Sequence, residues 1–102
     1  MIWYRDYFVG KSIESRRKQV RKKLEQGKVQ LEIYVITLAS NENNLLDIIP
    51  SWNLLQESYP SRDLYVLGIA GGYHEALELA GEIVSRVYRE TGGFRVAEYY
   101  RA

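Results

Sequence analysis

Two short segments are apolar on both of their faces, and they constrain the fold more than any other feature of this sequence. In residues 29–39, Ile33 and Val35 alternate with Tyr34 and Ile36, so that neither side of the segment is polar. The segment 64–70, LYVLGIA, has the same character. Such strands are typical of a parallel sheet covered by helices on both sides, and their β-branched residues favour strand over helix.

Helical periodicity surrounds these two strands. It predicts three helices, at about 6–26, 42–57 and 73–91. The second helix should be kinked at Pro50, because proline lacks the N–H that a helix interior needs. The apolar residues 2–4 predict a short strand or an extended arm. FRVAEYY, residues 94–100, predicts a third strand, whose charges at Arg95 and Glu98 suit an edge.

The predicted element order is α-β-α-β-α-β within a single α/β domain, residues 1–102. Strands that alternate with helices imply parallel, right-handed crossovers. We therefore expect a two-layer or three-layer domain with a three-stranded, mostly parallel sheet. Because the third strand is charged, the strand order should be 2-1-3 or 1-2-3.

Composition narrows the classes of protein to consider. Hydrophobic residues make up 46% and charged residues 26% of the chain, as in an ordinary globular domain. The chain has no cysteine and one histidine, so we expect neither a metal site nor a disulfide. The absence of cysteine favours a cytoplasmic location. The first residues lack a signal-peptide pattern, and we expect neither a cofactor nor membrane attachment.

Charge is distributed unevenly along the chain. Residues 1–28 hold nine Lys or Arg and three acids, a net of +6, whereas residues 29–102 hold five Arg and ten acids, a net of −5. Such a split suggests an anionic partner, but it can also be balanced within the fold or across a dimer.

The loops after the first two predicted strands form a candidate ligand site. In a parallel sheet both loops lie at the carboxyl edge, where ligands bind in open α/β sheets, and each begins a helix with outward N–H groups. The candidate ligand-binding residues are Thr37, Ser40, Asn41, Asn43, Gly71, Gly72, His74 and Glu75. They suggest an anion or nucleotide, although the two glycines are more simply read as a tight strand-to-helix turn.

His74, the single histidine, is a remote catalytic candidate. In the first turn of its helix it should be neutral and could act as a general base. No recognised catalytic motif surrounds it, so a plain surface histidine is the alternative, and the chain is more simply read as a non-enzyme.

A basic patch lies in the first predicted helix, where residues 16–23 read RRKQVRKK. The patch comprises Lys11, Lys18, Arg21, Lys22 and Lys23. A positive helix face is what nucleic-acid phosphates require, so nucleic-acid binding through the basic helix 11–26 is an alternative function. The alternative is a solvated basic helix that faces acidic groups of its own fold or of a partner.

Aromatic residues suggest self-association. The chain has nine Tyr, two Trp and two Phe, with Trp3 near its start and Tyr99 and Tyr100 near its end. Aromatic residues are enriched at protein interfaces, although they can also complete a small core. We therefore predict a non-enzymatic interaction or regulatory module. It should form a homodimer through the N-terminal segment or the third strand, or bind an unidentified protein.

Overall fold

The computed structural model describes residues 1–40, 44–56 and 63–101. Its sheet has four strands, β1 (Ile2–Val9), β2 (Ile33–Leu38), β3 (Leu46–Pro50) and β4 (Tyr65–Gly71), in the order β1-β4-β2-β3. β1 is parallel to β4, whereas β4 and β2, and β2 and β3, pair antiparallel. The sheet is therefore mixed and mostly antiparallel.

Helices cover both faces of this sheet. A 3-10 helix, Lys11–Arg16, leads into α1 (Arg17–Glu25) on one face, and α2 (Tyr73–Thr91) and α3 (Val96–Arg101) lie on the other. A second 3-10 helix, Ser51–Leu55, follows β3 directly. Within the described ranges, no helix is both long enough and apolar enough to cross a membrane.

The core has two halves, one on each face of the sheet. On the α1 face, Ile13, Val20 and Leu24 pack against the sheet. On the α2 face, one side of α2 is buried against β2 and β4, and Tyr100 of α3 completes the packing. The result is a three-layer α/β arrangement, in which both faces of β2 and β4 are excluded from water.

The predicted three-stranded parallel sheet, ordered 2-1-3 or 1-2-3, is wrong. β2 is antiparallel to β4, because the chain between them forms the added strand β3 and its 3-10 helix rather than a crossover helix. The two-sided apolar pattern correctly indicated that β2 and β4 are covered on both faces. It carries no information about strand direction, because helices from different parts of the chain can cover an antiparallel pair equally well.

The predicted helix 6–26 is wrong in its first half. Residues up to Val9 belong to β1, and the α-helical part begins only at Arg17. The predicted short strand at residues 2–4 lies within β1, which is longer than expected. Its pairing with β4 is irregular, since the register shifts between Trp3 and Phe8. Gly27, with φ of +69°, follows the helix in the left-handed region that favours glycine.

The predicted helix 42–57 is also wrong. Leu46–Pro50 is strand β3, where Ile48 and Ile49 pair with Ile36 and Val35 of β2. Pro50 ends this edge strand rather than kinking a helix, because an edge position tolerates a missing N–H. Residues 42, 43 and 57 of the predicted helix lie outside the described residues.

The C-terminal part of the chain gives one confirmation and one correction. The predicted helix 73–91 is confirmed as α2, which ends at Thr91 and is capped by Gly92 with φ of +76°. The predicted strand 94–100 is instead the helix α3, which begins at Val96. Helical spacing turns both Val96 and Tyr100 into the core, because residues four apart share one face of a helix.

Candidate interaction surface

The longest helix has two apolar sides, and only one of them is buried by the domain. Ala76, Leu79, Ile83 and Val87 face the sheet. A second set recurs every three or four residues beside them, and we call it the α2 stripe: Tyr73, Leu77, Ala80, Val84 and Tyr88. Such spacing aligns side chains along one line of a helix surface.

The α2 stripe remains open to solvent over most of its length. Tyr73, Leu77 and Tyr88 are 54%, 46% and 51% exposed, whereas Ala80 and Val84 between them are half-buried against the core. Each exposed aromatic ring leaves roughly 100 Å² uncovered, about half of what such a side chain can bury. The exposed members of the stripe therefore lie towards its two ends, and the half-buried Ala80 and Val84 join them along the helix.

Aromatic contacts extend this surface at both ends of α2. At the C-terminal end Phe94 stacks on Tyr88 with ring centroids 5.1 Å apart, and Phe94 is itself 54% exposed. At the N-terminal end Tyr73 packs against Tyr34 of β2, with centroids 5.7 Å apart. An open depression of about 470 Å³ adjoins Phe94 and is lined partly by Leu38 and Leu45. These contacts hold the exposed rings in defined positions.

The rest of the α2 surface is polar and graded in charge. Glu75 and Glu78 lie in its first half and Glu82 lies at its middle, whereas the second half holds Arg86, Arg89 and Glu90. Gly81, in the middle of the helix, is exposed, and a Cβ atom placed on it would meet no atom within 4 Å.

The predicted ligand loops do not lie at a common edge. Thr37 and Ser40 are at the end of β2, and Gly71 and Gly72 are at the end of β4, which runs in the opposite direction. The structure therefore places the two groups at opposite ends of the sheet. Asn41 and Asn43 lie outside the described residues. Thr37 is buried, and the Ser40 N–H donates to Asp47 Oδ2 at 3.0 Å.

Backbone N–H groups near the end of β4 already bind an anionic side chain of the protein, the carboxylate of Glu75. The Glu75 carboxylate accepts hydrogen bonds from the Gly71 N–H at 2.7 Å, the Ser12 N–H at 3.1 Å and the Ser12 hydroxyl at 2.8 Å. Partial burial raises the pKa of Glu75, but these three hydrogen bonds outweigh it and hold the pKa below its usual value. Glu75 therefore occupies donors that an anionic ligand of this loop would use.

His74 lies on the outer surface of α2. Its side chain is 88% exposed, and Nε2 is 3.0 Å from Glu78 Oε1, one helical turn away. Gly72, which precedes the first residue of α2, has φ of +106°, a conformation that glycine adopts readily as the chain turns from strand to helix. In this position the histidine faces solvent rather than a cleft.

The basic patch lies on α1 and the 3-10 helix before it. The Arg21 Cζ is 4.5 Å from the centroid of the Trp3 ring, and Arg21 Nε is 3.7 Å from Glu25 Oε2. Arg21 also lies over Tyr7, so its charge is partly engaged with β1 and α1. The other patch residues are Lys11, Lys18 and Lys22, which are exposed, and Lys23, which is half-buried.

Sequence reasoning missed the main feature of this surface. Leu77 and Tyr88 look like the margin of the buried face of α2, because periodicity alone does not show where a neighbouring element stops covering it. The available signal was the width of the apolar face, which exceeds what one sheet can cover. No protein-family model, curated protein or solved structure matches this chain.

Proposed function

We propose that this chain is a non-enzymatic interaction module that associates with itself. The α2 stripe carries this proposal, because it exposes aligned tyrosine and leucine side chains on one helix, and Phe94 beyond the end of that helix extends the exposed surface. Together these side chains present an apolar area on the order of 400 Å², the size of patch that is often functional on a single domain.

Tyrosine in the stripe fits this role. Tyrosine combines a large apolar ring with a hydroxyl that tolerates water, so it suits a surface that is exposed in one state and covered in another. The rings of Tyr73 and Tyr88 are held by Tyr34 and Phe94. Association would therefore cost little additional side-chain entropy, which favours binding.

Sedimentation equilibrium of the whole chain tests the proposal. Between about 1 and 300 μM, the fitted mass should rise from that of one chain to that of two. Because burial of apolar surface rather than charge drives the association, the rise should persist in 0.5 M NaCl. A mass that stays at one chain throughout this range would refute self-association.

A second candidate is binding of a polyanion, such as nucleic acid, to the basic patch. Its support is the separation of charge between the two faces of the sheet. Residues 11–25 hold seven Lys or Arg and two Glu, a net of +5, while α2 holds four Glu and two Arg, a net of −2. A one-sided positive layer is the electrostatic footprint expected of a phosphate-binding face.

Fluorescence anisotropy with labelled single-stranded and double-stranded oligonucleotides tests this candidate. Affinity should fall steeply with salt and should be lost when Lys18 and Lys22 are both changed to glutamate. The matched control changes Arg89 and Arg95, which lie outside the patch, to glutamate. Equal losses in both double variants would indicate nonspecific attraction and contradict a defined site.

The third candidate, an anion or nucleotide site, is now limited to one loop. Its support is the pair of N–H groups, one from Gly71 of this loop and one from Ser12 of the first 3-10 helix, that bind the carboxylate of Glu75. If Glu75 gives way to a ligand, Glu75→Gln should raise the affinity for inorganic phosphate, which a thermal-shift titration would detect. No stabilisation of either form by phosphate or nucleotides would remove this candidate.

A further inference from the structure

We infer that the partner that covers the α2 stripe is a second copy of this chain, with the two α2 helices packed antiparallel across a two-fold axis near Gly81. This inference rests on the proposed self-association and specifies its surface. It differs from the interface predicted by sequence, which was the N-terminal segment or a third strand.

The first argument is the glycine in the middle of α2. A glycine inside a helix is less favourable than alanine, and the surroundings of Gly81 offer no compensating reason, since a Cβ atom there would meet nothing within 4 Å. Its neighbour Ser85, one turn further along, is also small and exposed. Small residues in two successive turns of a helix let a second helix approach closely beside the stripe.

The second argument is the gradient of charge along α2. The acidic half contains Glu78, and the basic half contains Arg89. A parallel arrangement would put like charges side by side. An antiparallel arrangement about Gly81 instead places the acidic half of each helix beside the basic half of the other, which is the self-complementarity that a two-fold interface requires.

The third argument is area. A stable interface of standard size buries about 800 Å² on each partner. The exposed parts of Tyr73, Leu77, Tyr88 and Phe94 supply roughly half of that as apolar surface, and the half-buried Ala80 and Val84, with the flanking polar residues, form the remainder. The α2 face is thus large enough for a dimer, provided that α2 contributes along its full length.

The edges of the sheet are less suited to this role. β1 carries Arg5 and Asp6 where its register with β4 shifts, and β3 has only five residues and ends in Pro50. Irregular register, charges, short length and proline are features that keep an edge strand from pairing with another chain. The α2 stripe has no comparable protection.

A pair of matched substitutions tests the inference. Leu77→Arg puts a charge at the centre of the proposed interface, and Leu31→Arg makes the same change at a position that is 71% exposed, in the segment between α1 and β2. Since Leu77 is itself half exposed, both variants should keep the circular dichroism and melting behaviour of a folded domain. We expect Leu77→Arg to raise the dimer dissociation constant at least about tenfold, and Leu31→Arg to leave it within about twofold.

Cysteine cross-linking tests the geometry, because the native chain contains no cysteine. Under mild oxidation Gly81→Cys should form a disulfide-linked dimer, since the two copies of this residue meet near the axis. Glu82→Cys, turned about 100° around the helix, should not. If the unaltered chain is a dimer but neither Leu77→Arg nor Gly81→Cys behaves as expected, the α2 interface is wrong while self-association stands. If the unaltered chain is a monomer, both proposals fail.

Discussion

Replacement of Tyr100 by phenylalanine tests how the last helix is held to the domain. Tyr100 is 1% exposed, and its hydroxyl donates a hydrogen bond to the Ile83 carbonyl of α2 at 2.6 Å. Its own carbonyl accepts from the Tyr65 hydroxyl at 3.0 Å. One residue therefore joins α3 to both α2 and β4.

The Tyr100→Phe variant keeps the ring and its edge-on contacts with Tyr4 and Phe8, and loses only the hydroxyl. At pH 8 the loss of one buried hydrogen bond should reduce the free energy of unfolding by about 1 kcal/mol. Tyr100→Ala, which removes the ring as well, should cost about 3 to 5 kcal/mol because it leaves a cavity.

The pH dependence of this difference gives a sharper test. Burial raises the pKa of Tyr100 from 10.0 to about 12. A group whose pKa is raised by folding contributes stability that is complete below its unfolded pKa and is lost as the pH rises towards its folded pKa. At pH 11 the native tyrosine should have lost on the order of 1 kcal/mol or more of this stability, whereas Tyr100→Phe has no such loss.

Urea unfolding of both proteins at pH 8, 10 and 11 measures this directly. The advantage of the native chain over Tyr100→Phe should be about 1 kcal/mol at pH 8 and should vanish by pH 11. The comparison cancels the ionisation of the other tyrosines, which both proteins share. An advantage that is the same at pH 8 and pH 11 would refute the burial of this hydroxyl and the placement of α3.

Three further substitutions test other contacts. Glu75→Gln should lower the free energy of unfolding by about 1.5 to 3 kcal/mol at pH 7, because the carboxylate accepts three hydrogen bonds. Folding lowers the pKa of Glu75, so the advantage of the native chain over this variant should shrink as the pH falls below 4.5. Urea titrations measure this advantage, and one that stays constant with pH would contradict the hydrogen bonds. Gly68→Ala should lower the free energy of unfolding by about 1 to 3 kcal/mol, because its Cβ atom would lie 3.1 Å from the Phe8 carbonyl oxygen and 3.2 Å from Leu79 Cδ2. Gly81→Ala, where the space is open, is the matched control. Equal effects of the two changes on thermal unfolding of the monomer at low concentration would argue against the tight packing of β1 beside β4. Arg21→Ala should lower the free energy of unfolding by about 1 kcal/mol, because it removes the cation above the Trp3 ring. It should also change the tryptophan fluorescence. The control Lys18→Ala should change neither the stability nor the fluorescence.

The elements that could be predicted from sequence are those in which local pattern and tertiary packing agree. α2 has a long amphipathic repeat ended by Gly92, and its predicted bounds are confirmed. The two central strands were located within a few residues. A run of β-branched residues that is apolar on both faces forms few structures other than a buried strand. Their direction was not predictable, since it depends on which strand pairs with which.

The wrong assignments occur where tertiary pairing overrides local pattern. Ile48 and Ile49 lie within the segment that sequence spacing predicts to be helical, yet they pair with β2 as a strand. Residues 94–100 were predicted to form a strand, yet Val96 and Tyr100 are both buried because they are four apart on a helix. Phe8 and Val9 fall within the predicted helix 6–26, yet they pair with Gly68 and Ile69 of β4 as a strand.

The predicted ligand site depended on the direction of the strands. Thr37 and Gly71 would share an edge only if β2 and β4 were parallel, and the antiparallel pairing separates them. The hydrogen bonds of Glu75 with Ser12 were equally beyond the sequence, because 63 positions separate the two residues. Neither arrangement leaves a local pattern that sequence reasoning could detect.

Isotope-filtered nuclear Overhauser spectroscopy on a mixture of labelled and unlabelled chains tests most directly whether the outer side of α2 is an interface. In such a sample only contacts between two different chains give a signal. We expect intermolecular signals from the Tyr88 ring of one chain to the Leu77 methyl groups and the Tyr73 ring of the other. A dimeric sample whose intermolecular signals arise only from α1 or the sheet edges would contradict the account.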